Sequence, residues 1–142
     1  MKPLETVLDT NVLIAALRSQ RGASFELLRM VGDERWRLHL STALLFEYEE
    51  VARREAQHLW LHPERIEDVL DYLAANGREH AISFRWRPFL QDPDDDFILE
   101  LAVSANVHYI VTHNLRNFAG VESFGIEAIT PAQMLTKLRE LT

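Results

Sequence analysis

The feature that most constrains the fold of this chain is the alternation of short apolar segments with helical patterns. Strands are predicted at residues 5–8, 37–40, 80–86, 108–111 and 127–129. Helices are predicted at residues 11–18, 24–31, 42–54, 63–76 and 94–105, and from residue 131 to the end. Alternating strands and helices with short connections are typical of a three-layer α/β/α fold with a short, mostly parallel central sheet.

Several residues mark where the predicted helices begin and end. Ser41 can accept a hydrogen bond from an exposed backbone N–H and therefore predicts a helix start, and Thr130 followed by proline predicts another. Pro63 is placed at a first-turn position, and Asn76 with Gly77 predicts the end of the helix that it opens.

Length and composition indicate one soluble domain spanning residues 1–142. The chain has no cysteine, which excludes disulfide scaffolds, zinc ribbons, thiol nucleophiles and iron–sulfur ligation. No apolar run reaches the roughly 18 residues of a membrane span, and no signal-peptide core is found, so we expect a cytoplasmic protein with no membrane partner. The 15 Lys and Arg residues against 22 Asp and Glu residues give a net charge of −7. Such a charge repels nucleic-acid phosphate unless it is concentrated where metal ions bind.

Oxygen-bearing side chains lie at the ends of the predicted strands. Asp9 follows the first strand, Glu47 is about two turns into the helix after the second, and Asn114 follows the fourth. Asp96 begins the helix that precedes the fourth strand. In parallel sheets the functional crevice lies beyond the carboxyl ends of the strands, so we expect these four side chains to converge. Mg²⁺ and Mn²⁺ prefer such oxygen ligands, whereas crowded carboxylates without a metal oppose folding.

Simpler explanations exist for some of these acids. Asp9 can cap the helix that follows it, and Asp94 and Asp95 can stabilise a helix start through its dipole. An EF-hand is excluded, because Phe97 stands where that loop needs glycine and Val103 where it needs a bidentate glutamate.

Five parts of the chain, in their order, resemble the PIN-domain nucleases, most closely the bacterial VapC-like toxins of toxin–antitoxin pairs. They are VLDTNVL at 7–13, STALLFEY at 41–48, DPDDD with LELA within 92–102, IVTHN at 110–114 and ITPA at 129–132. Each is weak alone, but they occur in the order of the family and span nearly the whole chain, from residue 7 to residue 132.

The resemblance implies a PIN-like fold and a metal-dependent ribonuclease that hydrolyses RNA phosphodiester bonds. Asp9, Glu47 and Asp96 match the first three acids of the family, and Asn114 stands at the fourth position, which is usually Asp. Asparagine keeps a carbonyl oxygen but has no charge, which weakens the case for a tightly held second metal. Thr10 and Asn11 match positions that support the first acid by hydrogen bonds.

The mechanism that follows from the resemblance uses a water activated on Mg²⁺ or Mn²⁺. Asp9 and Asp96 would be the main ligands, Glu47 an outer ligand or water-orienting base, and Asn114 a neutral orienting group. The resemblance also implies a cognate antitoxin and a homo-oligomer, most simply a dimer. Five arginines are candidates to bind the RNA backbone on position alone: Arg18, Arg21, Arg53, Arg54 and Arg116.

Two other functions stay open from the sequence. A catalytically weak PIN domain could act as an RNA-binding or protein-binding regulatory module, which Asn114 and the negative net charge favour. A haloacid-dehalogenase-type phosphatase also places Asp at the end of its first strand, but it needs a second acid two residues later, where this chain has Asn11.

Overall fold

The computed structural model describes residues 2–81 and 93–141. For residues 93–95 it describes the backbone alone. Within these residues five strands form one sheet in the order β3-β2-β1-β4-β5, and all of their pairings are parallel. The strands are β1 (Leu4–Leu8), β2 (Trp36–Ser41), β3 (Arg78–His80), β4 (Tyr109–Val111) and β5 (Glu127–Ile129). The predicted parallel sheet is confirmed.

The helices form the outer layers of the α/β/α arrangement. They are α1 (Thr10–Arg18), α2 (Ala23–Arg29), α3 (Thr42–Arg54), α4 (Ile66–Asn76), α5 (Pro93–Ser104) and α6 (Pro131–Glu140). Helix α1 packs against α2 and α3, α2 against α6, and α3 against α4, whereas α5 packs against β1 and β2. None of the described helices is both long enough and apolar enough to cross a bilayer.

The predicted element boundaries differ from the structure in a few places. Strand β3 runs from Arg78 to His80 and shares only His80 with the strand predicted at 80–86. Residue 81 is not in a strand, and residues 82–92 lie outside the described part of the chain. Helix α2 ends at Arg29, two residues before the predicted end, and Gly32 follows with a positive φ of 98°. The helix predicted at 63–76 consists of a short 3₁₀ helix at Pro63–Arg65 followed by α4, which begins at Ile66. The sequence did not predict the other 3₁₀ helices at Ala56–His58, Leu115–Phe118 and Val121–Phe124.

Strand β1 lies at the centre of the sheet and carries the site at its end. Its last residues, Val7 and Leu8, are buried in the apolar core, as is the adjacent Ile110 of β4. After β1 the chain adds β2 on one side of β1, whereas β4 lies on the other side of β1 and is followed there by β5. The carboxyl ends of β1 and β4 therefore flank the point where the strand order reverses, which is where open α/β sheets bind ligands.

Candidate active site

Asp9 is held at this reversal point by backbone and side-chain hydrogen bonds. Its backbone N–H donates to the carbonyl of Val111 at 2.9 Å, which continues the pairing of β1 with β4. Its carboxylate accepts hydrogen bonds from the Thr10 N–H at 2.8 Å and from the Thr112 hydroxyl at 2.8 Å. Asp9 is only 6% exposed. It therefore caps α1, as the simpler explanation predicted, and it also has a fixed orientation at the sheet edge.

Glu47 is brought to Asp9 by the start of α3. The Ser41 hydroxyl accepts a hydrogen bond from the Leu44 N–H at 3.1 Å, so the predicted cap begins this helix at the carboxyl end of β2. The hydroxyl of Thr10, the residue after Asp9, donates to Glu47 Oε2. A single threonine thus links the segment after β1 to the acid on α3.

Tyr48 fixes the same two elements from inside the core. It is fully buried, and its hydroxyl donates to the carbonyl of Leu8 at 2.6 Å. Burial raises the pKa of the Tyr48 phenol well above its usual value, and the negative charges of Asp9 and Glu47 raise it further. Tyr48 is therefore a neutral hydrogen-bond donor that holds α3 against the end of β1.

Asp9 and Glu47 line one cavity of about 440 Å³ between α1 and α3. The other lining residues are Thr10, Asn11, Ile14, Ala15, Arg18, Val51, Glu55 and Asn117. Asn117 was not singled out from the sequence, because it belongs to no motif and its position depends on how the helices pack. The cavity joins carboxylates near the sheet edge to Arg18 at the far end of α1.

The segment after β4 is tied to Asp9 through Thr112. The Thr112 hydroxyl, which donates to Asp9, accepts hydrogen bonds from the Asn114 backbone N–H at 2.9 Å and from the Asn11 amide at 3.5 Å. The Asn11 side-chain oxygen accepts a further bond from the His113 N–H at 3.2 Å. Asn11 thus supports Asp9 indirectly. Asn114 is exposed near Asp9, but it does not line the cavity.

Asp96 lies in the first turn of α5 and is 9% exposed. This helix follows β3 and leads back to β4, so its first turn is at the carboxyl edge of the sheet, although Asp96 does not line the cavity of Asp9 and Glu47. Among the described residues, no three His, Cys, Asp or Glu side chains are grouped so that they could hold a metal ion. The structure therefore brings Asp9 and Glu47 together, and the four-residue metal site stays a prediction.

The chemistry of the cavity fits a hard divalent cation. Carboxylate oxygens are the ligands that Mg²⁺ and Mn²⁺ prefer. Three of the donors that orient these carboxylates are the Thr10 and Thr112 hydroxyls and a backbone N–H, all uncharged. Such donors fix the direction of a carboxylate without cancelling its charge.

Comparisons with known proteins agree with this geometry. The PIN domain family matches residues 5–116, which is more than half of the chain. A chain in the crystal structure of VapBC2 from Rickettsia felis, bound to a DNA fragment from their promoter, has a similar fold with a TM-score of 0.59 and 14% identity. That alignment covers 88% of this chain and 97% of the other. The search of curated proteins gives no match. By the extent of the family match, the chain belongs to the PIN-domain family.

Proposed function

We propose that this protein is a metal-dependent endoribonuclease that hydrolyses RNA phosphodiester bonds and is the toxin of a toxin–antitoxin pair. The observation that supports the activity most directly is the shared cavity of Asp9 and Glu47 at the reversal point of a PIN-domain sheet. The likeness in fold to a VapBC2 chain supports the toxin assignment and, with it, a cognate antitoxin as partner.

Mg²⁺ or Mn²⁺ would be held by Asp9 and Asp96, with Glu47 as an outer ligand or water-orienting base and Asn114 as a neutral orienting group. The cation would supply Lewis acidity, lower the pKa of a water and screen the substrate phosphate from the carboxylates. Thr112 and the Thr10 N–H keep the Asp9 carboxylate in one orientation, so little reorganisation is needed when the charge of the substrate changes.

Glu47 would orient the attacking water and take up its proton. The Thr10 hydroxyl holds one oxygen of Glu47, which limits the rotation of the side chain. Tyr48 keeps the helix that carries Glu47 at a fixed distance from Asp9. The residues around the cavity therefore serve mainly to position the two acids.

Arg18 is the arginine best placed to bind the RNA backbone near the acids, because it lines their cavity. Arg53 and Arg54 form ion pairs with neighbouring acids on α3, Glu49 at 2.8 Å and Glu50 at 3.8 Å, which reduces their attraction for phosphate. A positive side chain within the cavity also offsets the repulsion expected from an acidic protein.

The second candidate function is a catalytically weak PIN domain that binds RNA or protein. The exposed, uncharged Asn114 favours it, as does the lack of a preformed group of three metal-ligating side chains within the described residues. Membership of the PIN-domain family leaves the phosphatase alternative without support. A single domain, a dimer and a cytoplasmic location remain predictions.

A cleavage assay on a mixed RNA pool distinguishes the two candidates. We expect cleavage with Mg²⁺ or Mn²⁺, none with a chelator, and loss of cleavage in Asp9→Asn. The matched control is Asp71→Asn, the same change at an exposed site on α4, which should cleave like the wild type. Cleavage that survives in Asp9→Asn contradicts the proposal, and RNA binding without any cleavage favours the regulatory module.

A further inference from the structure

A second cavity lies beside that of the acids, and we propose that it binds an unstacked nucleobase adjacent to the scissile phosphate of a single-stranded RNA. The inference rests on the proposed function and adds to it a site for one base of the substrate. The cavity has a volume of about 300 Å³. Its lining includes Ala15, Arg21, Ser24, His113, Pro131 and Ala132.

The two cavities are neighbours. Ala15 of α1 lines both of them. The His113 backbone N–H donates to Asn11, which lines the first cavity, at 3.2 Å, whereas the His113 side chain lines the second. A nucleotide whose phosphate lies at Asp9 therefore has its neighbouring base within reach of the second cavity.

The walls of the second cavity suit a flat, partly polar ligand. Small residues, among them Gly22, Ala23 and Ala132, leave the space open, and a Cβ atom added at Gly22 would have no heavy atom within 4 Å. The imidazole of His113 supplies a ring on which a base can stack. These features match a nucleobase better than a fully polar metabolite.

Ser24 supplies a polar group for the edge of the base. Ser24 Oγ and His113 Nε2 are hydrogen-bonded at 2.9 Å, and Ser24 is only 7% exposed. A hydroxyl can donate one hydrogen bond and accept others, so Ser24 can bind the edge of a base while it stays bonded to His113. The buried serine therefore gives the cavity a means of distinguishing one base from another.

Arg21 supplies a positive charge at the rim. Its backbone is fixed by Ser19, whose hydroxyl accepts from the Arg21 N–H and donates to the Arg21 carbonyl, both at 3.1 Å. The exposed guanidinium can contact a phosphate that flanks the bound base. A base inside a duplex is stacked and paired and cannot enter, so the cavity selects single-stranded segments.

Binding by the Asp9→Asn variant tests the proposal without cleavage. Fluorescence anisotropy would compare single-stranded oligonucleotides of A, C, G and U with a duplex of matched length. We expect one base to bind at least about fivefold more tightly than the others, the effect of one net hydrogen bond to Ser24. Adding Ala132→Leu should fill the cavity and remove that preference. Ala74→Leu, the same change at an exposed site on α4, is the matched control and should retain it.

Ser24→Ala is a second test that keeps the cavity open. It should reduce discrimination between the bases more than it reduces overall affinity, and thermal melting would verify that both cavity variants are folded. The inference is overturned if no oligonucleotide binds, if the duplex binds as tightly, or if both cavity variants keep the wild-type preference. If the Asp9→Asn variant cleaved RNA as fast as the wild type, the proposed function would be overturned instead. The base preference measured by binding would not be affected by that result.

Discussion

Two carboxylates of the same segment, Glu5 within β1 and Asp9 just after it, have different partners. Glu5 Oε2 accepts from Arg37 at 3.1 Å, and its Oε1 is hydrogen-bonded to His39 Nε2 at 2.7 Å. His39 in turn is bonded to His80 at 2.7 Å, so this network crosses β1, β2 and β3. Asp9 accepts from a hydroxyl and a backbone N–H. Ionisable partners tie Glu5 into the sheet, whereas a hydroxyl and a backbone N–H, both uncharged, orient the Asp9 carboxylate at the edge of the sheet.

The largest expected effect is the difference in cleavage activity between Asp9→Asn and Glu5→Gln, in which each acid is replaced by its amide. Losing a hydrogen-bond partner of a metal ligand typically lowers activity roughly 10–100-fold. Asp9→Asn changes a proposed ligand itself, so it should reduce cleavage by more than that. Glu5→Gln should keep most of the cleavage activity and lose about 1–3 kcal/mol of stability, because its charged hydrogen bonds weaken. Cleavage rates and urea unfolding of both variants measure the contrast. Equal losses of activity would show that the two carboxylates do not differ in role.

Metal ions should stabilise the site of Asp9 and not the network of Glu5. Binding to the folded state alone adds about 2.7 kcal/mol at 100 times the dissociation constant. Thermal melting with and without Mg²⁺ or Mn²⁺ should therefore show a rise for the wild type and for Glu5→Gln, and a smaller rise for Asp9→Asn. Identical midpoints at millimolar metal for the wild type would favour the regulatory module.

Asn114→Asp restores the acid that is usual at the fourth position. Without metal, the added negative charge lies near Asp9 and should lower the melting temperature. With Mn²⁺ it adds an anionic ligand, so the increase in melting temperature on adding metal should be larger than in the wild type. If neither quantity changes, Asn114 is outside the field of the metal and the assignment of the fourth position is wrong.

The smallest expected effect concerns the pH dependence of the Glu5 network. Burial lowers the pKa of His39 below its usual value of 6.5, although Glu5 opposes the shift. The unfolded chain therefore takes up this proton at a higher pH than the folded chain does, and stability falls as the pH drops below about 6.5. His39→Gln should make the decline in melting temperature between pH 7 and pH 5 shallower, whereas His58→Gln, at an exposed site, should not. A decline of equal slope in all three proteins would contradict this.

The sequence was sufficient for the sheet and for the start of several helices, because these depend on local pattern. Ser41 and Thr130 cap their helices as predicted, and Asp9 stands at the end of β1. The contacts that position the site join distant residues and have no local signal. Tyr48 reaches Leu8, Thr112 reaches Asp9, and Ser24 reaches His113 only after the layers have packed. For the same reason, the sequence could not show that Asn117 lines the cavity of the acids.

The bond between Asp9 and Thr112 joins residues 103 positions apart, and β1 pairs with β4 over a similar separation. During synthesis the N-terminal part of the chain, with Asp9 and Glu47, leaves the ribosome long before Thr112 does. The nascent chain therefore contains two of the acids but cannot complete the edge of the sheet that orients Asp9. An activity that depends on that edge can begin only after Thr112 has been translated, so under the proposed function the order of synthesis delays cleavage of RNA by the nascent chain.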